Sequence, residues 1–540
     1  MYKPLIYLIS TIVLIACQPD KVPADLIILN ANIYTVNQNK PKAQAFAVKN
    51  GRFAEIGNSK YIKKHFLSDK VIDLQGKTVL PGLYDGHCHF NNLGLVMQQV
   101  DLNGAKSYEE VIDKVVAFQK ENHKEFITGR GWDQNDWNSM EFPTKDRLDV
   151  LFPDTPVVLS RIDGHAILVN QATLDLAGID ARTEVSGGEI VKQNGKITGV
   201  LIDNAQNKVR HILPKPGIQE RVKALKVAES YCLQNGLTTV CDAGLNRETI
   251  HLIDSLQKND ELKIRVYAMV SVSPENLDYF LEKGPLKTDR LNVRSFKVYA
   301  DGALGSRGAT LKQPYSDREG HYGTMVTSLE DLDLIAKSLA RSDFQMNTHA
   351  IGDSANSYVL KTYAKELKSQ TNRRWRIEHA QVVSPEDFDY FTEIIPSVQP
   401  THATSDMYWA EDRLGKDRIN GAYAYKTLLE INGRIVLGTD FPVEKVNPML
   451  TFYAAVARKD LSGFPEEGFQ PSNALSREET LKGMTIWAAF ASFEEMEKGS
   501  IEVDKLADFV VLDRDIMTIP IEQVPNTNIL GTYINGEKLF

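Results

Sequence analysis

The stretch Asp85-Gly86-His87-Cys88-His89 ends a predicted β-strand in two potential metal ligands. Three more predicted strands end similarly, at Asn347-Thr348-His349, Ile377-Glu378-His379 and Gly438-Thr439-Asp440. A further apolar strand, Phe296-Lys297-Val298-Tyr299, carries a lysine within it. The C-terminal ends of parallel barrel strands share one mouth, where catalytic groups lie. The pattern therefore predicts a metal centre at the mouth of a barrel, and a hydrolase.

Strand spacing predicts an α/β fold of the (β/α)8 TIM-like type. An eighth strand, Thr78 to Tyr84, leads into His87, and an amphipathic helix over 219 to 234 precedes the remaining strands. Those seven predicted strands cover residues 238–242, 264–270, 294–300, 344–349, 374–379, 394–399 and 435–440. Eight parallel strands close such a barrel. We assign the barrel to residues 81–450 and its C-terminal helices to 451–490.

One interval does not fit this strand spacing, because the chain from His89 to residue 238 is too long for a single βα connection. We interpret residues of about 90–235 as a subdomain inserted after the first barrel strand. Lying over the mouth, it would form a lid or a substrate pocket. A purely stabilising decoration is the alternative.

The two chain ends carry short alternating strands and turn signals such as Asn50-Gly51 and Asn535-Gly536. Neither end has enough strands for a stable sheet of its own. We therefore expect residues 25–80 and 491–540 to combine into one small β-sandwich.

Residues 1–17 have the charged start and short apolar run of an export signal. The run ends in Leu14-Ile15-Ala16-Cys17, which resembles a bacterial lipobox. Lipidation of Cys17, with residues 18–24 as a tether, would anchor the protein to a membrane of the bacterial cell envelope, periplasmic or cell-surface. A chance cysteine at the end of an ordinary signal is the alternative.

Composition narrows the function classes further. The net charge of −9 is spread without a basic run, which argues against a nucleic-acid partner. Three cysteines remain after processing: Cys88, Cys232 and Cys241. An odd number argues against a disulfide framework, although a single bridge between Cys232 and Cys241 stays open. The sequence does not predict an oligomeric state.

Two segments, Pro81 to His89 and Gly499 to Asp508, resemble the opening and closing signatures of the metal-dependent amidohydrolase superfamily. Lys297 to Gly308, His349 to Asp353, Arg376 to Gln381 and Gly438 to Pro442 more narrowly resemble its branch with the N-substituted formamide deformylases, amidohydrolase family 3. The similarity covers essentially all of the mature chain.

The residues suggest two divalent cations, with zinc expected although iron, cobalt and manganese accept the same ligands. His87, His89 and Asp440 would bind one cation, and His349 and His379 the other. The resemblance implies that Lys297 carries a carbon dioxide-derived carbamate that bridges both. An ion pair between Lys297 and Asp301 or a neighbouring carboxylate, leaving one metal, is the alternative.

The predicted reaction is metal-assisted hydrolysis of a carbon–nitrogen bond in a small amide, with N-acyl and N-formyl groups as options. Asp440 would take a proton from a metal-activated bridging water and deliver it to the leaving nitrogen. Candidate substrate contacts are His402, Arg307 as a carboxylate binder, and, with packing as the favoured alternative, Trp132 and His165.

Three rival functions remain. A mononuclear deaminase of the same superfamily usually has a Glu shortly after the fifth-strand histidine, but His349 is followed by Ala350-Ile351-Gly352-Asp353. The complete set of candidate metal ligands argues against a non-catalytic lipoprotein that only binds a small molecule. A phosphotriesterase-like esterase would use the same metals, so the sequence leaves it open.

Overall fold

The computed structural model describes residues 21–540 except 215, 369 and 371. The predicted export signal with Cys17, and the tether before residue 21, lie outside these residues. Within the described part of the chain, no helix is long and apolar enough to cross a membrane.

Eight parallel strands pair in chain order and form the barrel, which confirms the predicted fold class. Their bounds are Leu83–Cys88, Leu237–Leu245, Arg265–Ser271, Leu291–Tyr299, Gln345–Ala350, Arg376–His379, Ile395–Val398 and Val436–Leu437, with Leu286–Lys287 added antiparallel to the fourth. The surrounding helices are Phe90–Val96, Ile218–Gln234, Arg247–Lys258, Pro274–Lys283, Leu329–Ala340, Asp353–Leu367, Pro400–Asp406, Ala410–Arg418, Tyr425–Asn432, Pro448–Ala457, Arg477–Gly483 and Ile486–Ala491. Short 3-10 helices cover Pro385–Thr392, Ile419–Gly421, Pro471–Asn473 and Ile521–Asn526.

The strand predicted over Thr78 to Tyr84 is in fact two strands. Thr78–Pro81 pairs antiparallel with Phe509–Leu512 in the terminal sheet, whereas Leu83–Cys88 begins the barrel. Gly82 separates them, and a Cβ there would lie 2.2 Å from Thr238 Oγ1. The chain therefore changes sheets where only a glycine fits.

The barrel closes where its first strand meets its eighth. Asp85 Oδ1 accepts a hydrogen bond from Thr439 N at 3.1 Å, and Asp85 Oδ2 accepts one from Thr439 Oγ1 at 2.7 Å. Asp440 N donates to the carbonyl of His87 at 2.8 Å. These bonds hold His87 and Asp440 side by side at the mouth.

The insertion is a six-stranded sheet with apolar clusters on both faces. In spatial order its strands are Val100–Asp101, Ile127–Trp132, Val157–Arg161, Ala166–Val169, Lys196–Asp203 and Gly188–Gln193. Its helices are Tyr108–Asn122, Gln134–Asp136, Asp146–Leu151, Gln171–Ala177, Asn204–Gln206 and Asn207–Arg210. The flanking helices Phe90–Val96 and Ile218–Gln234 instead pack into the barrel core, so the inserted sheet is narrower than the range of about 90–235.

Both chain ends build a β-sandwich beside the barrel. One sheet contains Arg52–Gly57, Ala45–Lys49, Leu26–Leu29 and Val71–Asp73, and the other Glu537–Lys538, Ile529–Ile534, Phe509–Leu512, Thr78–Pro81, Asn32–Tyr34 and Lys42–Ala43. The Phe46 ring packs on Phe53 at 5.0 Å and on Phe509 at 4.9 Å, joining the sheets. Helix Ser59–His65 and the paired strands Val22–Pro23 and Phe66–Leu67 complete this region.

The three cysteines of the described chain, Cys88, Cys232 and Cys241, are buried free thiols. The Cys232–Cys241 bridge that the sequence left open is thus not formed in this structure.

Candidate metal centre

His87, His89 and Asp440 meet at the mouth of the barrel. His87 is the last residue but one of the first strand, His89 directly follows that strand, and Asp440 follows the eighth. Asp440 Oδ1 lies 3.6 Å from His87 Nε2 and 3.1 Å from His89 Nε2. Burial and the charge of Lys297 lower the pKa of His87 to about 4, so its imidazole is neutral at pH 7 and able to bind a cation.

His349 is the last residue but one of the fifth strand, and His379 ends the sixth. Their ring centroids are 4.5 Å apart, and the His379 ring lies 4.9 Å from that of His87. Burial holds the pKa of both imidazoles well below the ordinary value. His379 Nδ1 lies 2.8 Å from Gln399 Oε1, which can only accept a hydrogen bond, so Nε2 is left free as a ligand atom.

Lys297 reaches the same place from the fourth strand. Its Nζ lies 3.0 Å from His87 Nε2, and the lysine is 1% exposed. Burial lowers its pKa to about 8. Among the described residues, no carboxylate forms an ion pair with Lys297. Asp301, its suggested partner, instead accepts hydrogen bonds from the backbone N–H groups of Thr310, Ile351 and Gly352 at 2.8, 3.0 and 2.8 Å.

A buried ion pair supports His87 from behind. Glu378 Oε2 lies 2.5 Å from His87 Nδ1, and Glu378 Oε1 lies 2.9 Å from Arg376 Nε. Burial raises the pKa of Glu378, but the charges of Arg376 and His87 outweigh burial and lower it to about 2. The ionised carboxylate fixes the imidazole with Nε2 towards the centre, as partners of metal-binding histidines commonly do.

These residues fit divalent cations. Ligand atoms of His87, His379 and Asp440 all lie within 4.8 Å of one another. Asp440 Oδ1 is buried and has no hydrogen-bond partner among the described residues, although His89 Nε2 lies 3.1 Å away. Burial raises the pKa of Asp440, yet the neighbouring histidines outweigh burial and hold it well below the ordinary value. A buried carboxylate without a donor, facing neutral imidazoles, is suited to a metal ligand.

A family model described as "Amidohydrolase family" matches residues 70–540. The chain belongs to this family. An uncharacterized metal-dependent hydrolase from Pyrococcus horikoshii OT3, of known crystal structure, is 28% identical with a TM-score of 0.75, over 92% of this chain and 98% of that one. The family and this structural relative identify the present amidohydrolase as a metal-dependent hydrolase.

Two curated relatives span nearly the whole chain. Protein LONG AFTER FAR-RED 3 of Arabidopsis thaliana is 33% identical, over 97% of this amidohydrolase and 92% of its own length. The N-substituted formamide deformylase of Arthrobacter pascens is 26% identical, over 95% of this chain and 97% of its own. Both alignments therefore extend over nearly all of each protein.

Of the predicted substrate contacts, the structure brings His402 to the metal centre. His402 Nε2 lies 3.7 Å from Asp440 Oδ2, and its ring stacks parallel to His379 at 5.9 Å. This Nε2 is buried and has no hydrogen-bond partner among the described residues. It is therefore available to a ligand beside Asp440.

The structure does not bring Arg307 and Trp132 to the site as free substrate contacts. The Arg307 guanidinium forms an ion pair with Asp317 at 2.8 Å, so donors of this side chain are already engaged by a carboxylate. Trp132 is 1% exposed, donates from Nε1 to the carbonyl of Leu159 at 2.7 Å and packs on Trp137 inside the insertion. Burial of its large apolar surface explains its position.

His165 does reach the centre, from the insertion. Its ring lies 5.5 Å from His349, and its Nδ1 lies 2.8 Å from Asp203 Oδ1. Burial lowers the pKa of His165, but the Asp203 carboxylate outweighs burial and raises it. Asp203 also fills the space between Gly302 and Gly308, since a Cβ at Gly308 would lie 2.6 Å from its Oδ2. The insertion therefore sits directly on the loop that follows Lys297.

Sequence reasoning missed Glu378, Gln399 and Asp203. One signal was present for Glu378, because Arg376 and Glu378 are two apart on a short buried strand and must face the same side. Charged residues of opposite sign on one face of a buried strand indicate an internal ion pair. Asp203 had no comparable signal, because its role depends on how the insertion sits on the barrel.

Proposed function

We propose that this amidohydrolase cleaves the carbon–nitrogen bond of a small amide, such as an N-acyl or N-formyl compound, at a two-metal centre. His87, His89 and Asp440 would hold one cation, and His349 and His379 the other. Lys297 would join both as a carbamate. Zinc is the proposed metal. The relative named N-substituted formamide deformylase supports this bond class.

The buried, unpaired amine of Lys297 carries this proposal. A lysine that is 1% exposed, lacks a carboxylate partner in the described chain and has its pKa lowered to about 8 is partly a neutral nucleophile near pH 7 to 8. Its reaction with carbon dioxide forms an N–C bond and releases a proton, which turns the amine into an anionic oxygen ligand. That anion would remove the cost of placing an ammonium group among metal ligands.

Bound divalent cations would supply Lewis acidity, lowering the pKa of a water and polarising the scissile carbonyl. Asp440, ionised beside His89, would accept the proton of the attacking water and pass it to the leaving nitrogen. His402 would hydrogen-bond the substrate from the other side of Asp440, where its Nε2 is unpaired.

Metal content tests the proposal. We expect the mature wild-type protein to contain two metals per chain by elemental analysis, and Lys297→Ala to contain one or none. Carbon-13-labelled bicarbonate should give a carbamate resonance in wild type alone. Lys312→Ala is the control, because Lys312 is a partly exposed lysine paired with Glu386 and Asp387. Equal metal content in wild type and Lys297→Ala would remove Lys297 from the centre.

We also propose that lipidated Cys17 anchors the enzyme to a membrane of the bacterial cell envelope, on its periplasmic or cell-surface side. The lipobox-like Leu14-Ile15-Ala16-Cys17 supports this. Metabolic labelling with a fatty-acid analogue should mark the wild-type chain and should not mark Cys17→Ala. Labelling of both chains would contradict the anchor.

A further inference from the structure

Arg130 is a cation at the barrel mouth that the proposed chemistry does not use. It lies near the end of the inserted strand Ile127–Trp132, and its Nη2 donates to the carbonyl of Ile162 at 2.7 Å. Its Nε is buried without a hydrogen-bond partner, and no carboxylate of the described chain forms an ion pair with it. A buried guanidinium N–H without a hydrogen-bond partner is costly unless a ligand satisfies it.

The other arginines around it are already paired. Arg161 binds Asp163 at 2.5 Å and also Asp133, whereas Arg307 and Arg413 share Asp317. Asp163 directly follows Ile162, whose carbonyl Arg130 contacts, and its carboxylate forms an ion pair with Arg161. Arg130 thus differs from these neighbours in forming no ion pair with a carboxylate of the described chain.

Arg130 faces the metal centre through the turn 162–165. A Cβ at Gly164 would lie 3.1 Å from Arg130 Nη1, and the next residue, His165, places its ring 5.5 Å from His349. Burial lowers the pKa of Arg130, and the charges of Asp163 and, more weakly, Asp440 raise it. One turn of the insertion therefore joins this free cation to the catalytic end of the barrel.

We propose that Arg130 binds a carboxylate group of the substrate, so that the amide cleaved here carries a carboxylate close to its scissile bond. The inference rests on the proposed amide hydrolysis and narrows it to anionic amides. The Nε–H and the second N–H of Nη2 lie on one edge of the guanidinium and can meet the two oxygens of such a group, as those of Arg265 do with Asp508. Arg307, the sequence-based choice for this role, is occupied by Asp317.

Ligands that cannot be hydrolysed test carboxylate binding independently of the proposed reaction. In 4-oxopentanoate a CH2 group replaces the N–H of N-acetylglycine, and 5-hydroxypentan-2-one is its neutral counterpart. Calorimetry on the metal-loaded protein should show the carboxylate binding about ten- to a hundredfold more tightly. Arg130→Gln should abolish this preference while still binding the neutral ketone, and Arg130→Lys should restore it in part.

Arg307→Gln is the matched control and should keep the full preference. If Arg130→Gln kept the preference for the carboxylate, the preference would come from the metals and the inference would be overturned. Equal binding of both ligands by wild type would also overturn it. Loss of neutral-ketone binding in Arg130→Gln would show a structural role instead. If the preference depends on Arg130 but N-acetylglycine and neutral amides are not hydrolysed, the proposed reaction fails and the carboxylate site stands.

Discussion

Single residues that contact the candidate metal ligands affect how tightly this centre can hold a metal. Glu378 touches no substrate-facing surface, yet it fixes His87 through Nδ1 at 2.5 Å. We expect Glu378→Gln to lower metal affinity about 10- to 100-fold, because the amide cannot supply the charge that orients and polarises the imidazole. Competition with a chelator measures this. Ser397→Ala, a buried strand residue whose hydroxyl has no hydrogen-bond partner in the described chain, is the control. Unchanged affinity in Glu378→Gln would exclude this role.

At the scale of elements, the contact between the first and eighth strands positions two ligands together. A Cβ at Gly438 would lie 2.5 Å from His87 N and 2.9 Å from Asp85 Oδ1. We expect Gly438→Ala to destabilise the fold by about 1–3 kcal/mol through overpacking, and to lower metal content because His87 must shift. Urea unfolding and elemental analysis test both effects. Gly57→Ala, also in a strand, is the control, since its nearest contact would be 3.6 Å away. Normal metal content in Gly438→Ala would show that this contact does not set the ligand geometry.

The barrel strands and their ends also differ in how far the sequence could predict them. Strand periodicity located the eight barrel strands, and barrel geometry placed the candidate ligands at one mouth, because both depend on local pattern. The division at Gly82 was missed, since it depends on contact with Thr238 across the fold. Arg307 was predicted as a carboxylate binder because the sequence does not reveal its ion pair with Asp317, and Arg130 was not considered because the sequence does not reveal that it lacks such a partner among the described residues.

At the scale of the whole molecule, a buried carboxylate at residue 494 ties distant parts of the chain together. Glu494 Oε2 accepts a hydrogen bond from Tyr84 Oη at 3.0 Å, and its carboxylate forms ion pairs with Lys287 at 2.6 Å and Lys498 at 2.8 Å. Burial raises the pKa of Glu494, but the two lysines outweigh burial and lower it to about 2. A carboxyl group with a lower pKa when folded than when unfolded stabilises the protein above pH ~4.5, and this contribution is lost as the pH falls towards 2.

This linkage predicts how acid unfolds the protein. The lowered pKa of Glu494 corresponds to about 3 kcal/mol in the free energy of unfolding, of which about 2 kcal/mol is lost between pH 7 and pH 3. We expect Glu494→Gln to unfold more easily in urea at pH 7, because two lysines lose their partner, and to lose less stability between pH 7 and pH 3 than wild type. Glu495→Gln, whose carboxylate pairs with Arg374 and is 25% exposed, should keep the wild-type pH dependence. An identical pH dependence in Glu494→Gln and wild type would mean that acid acts elsewhere. The barrel would then owe its acid sensitivity to other buried carboxylates rather than to this link.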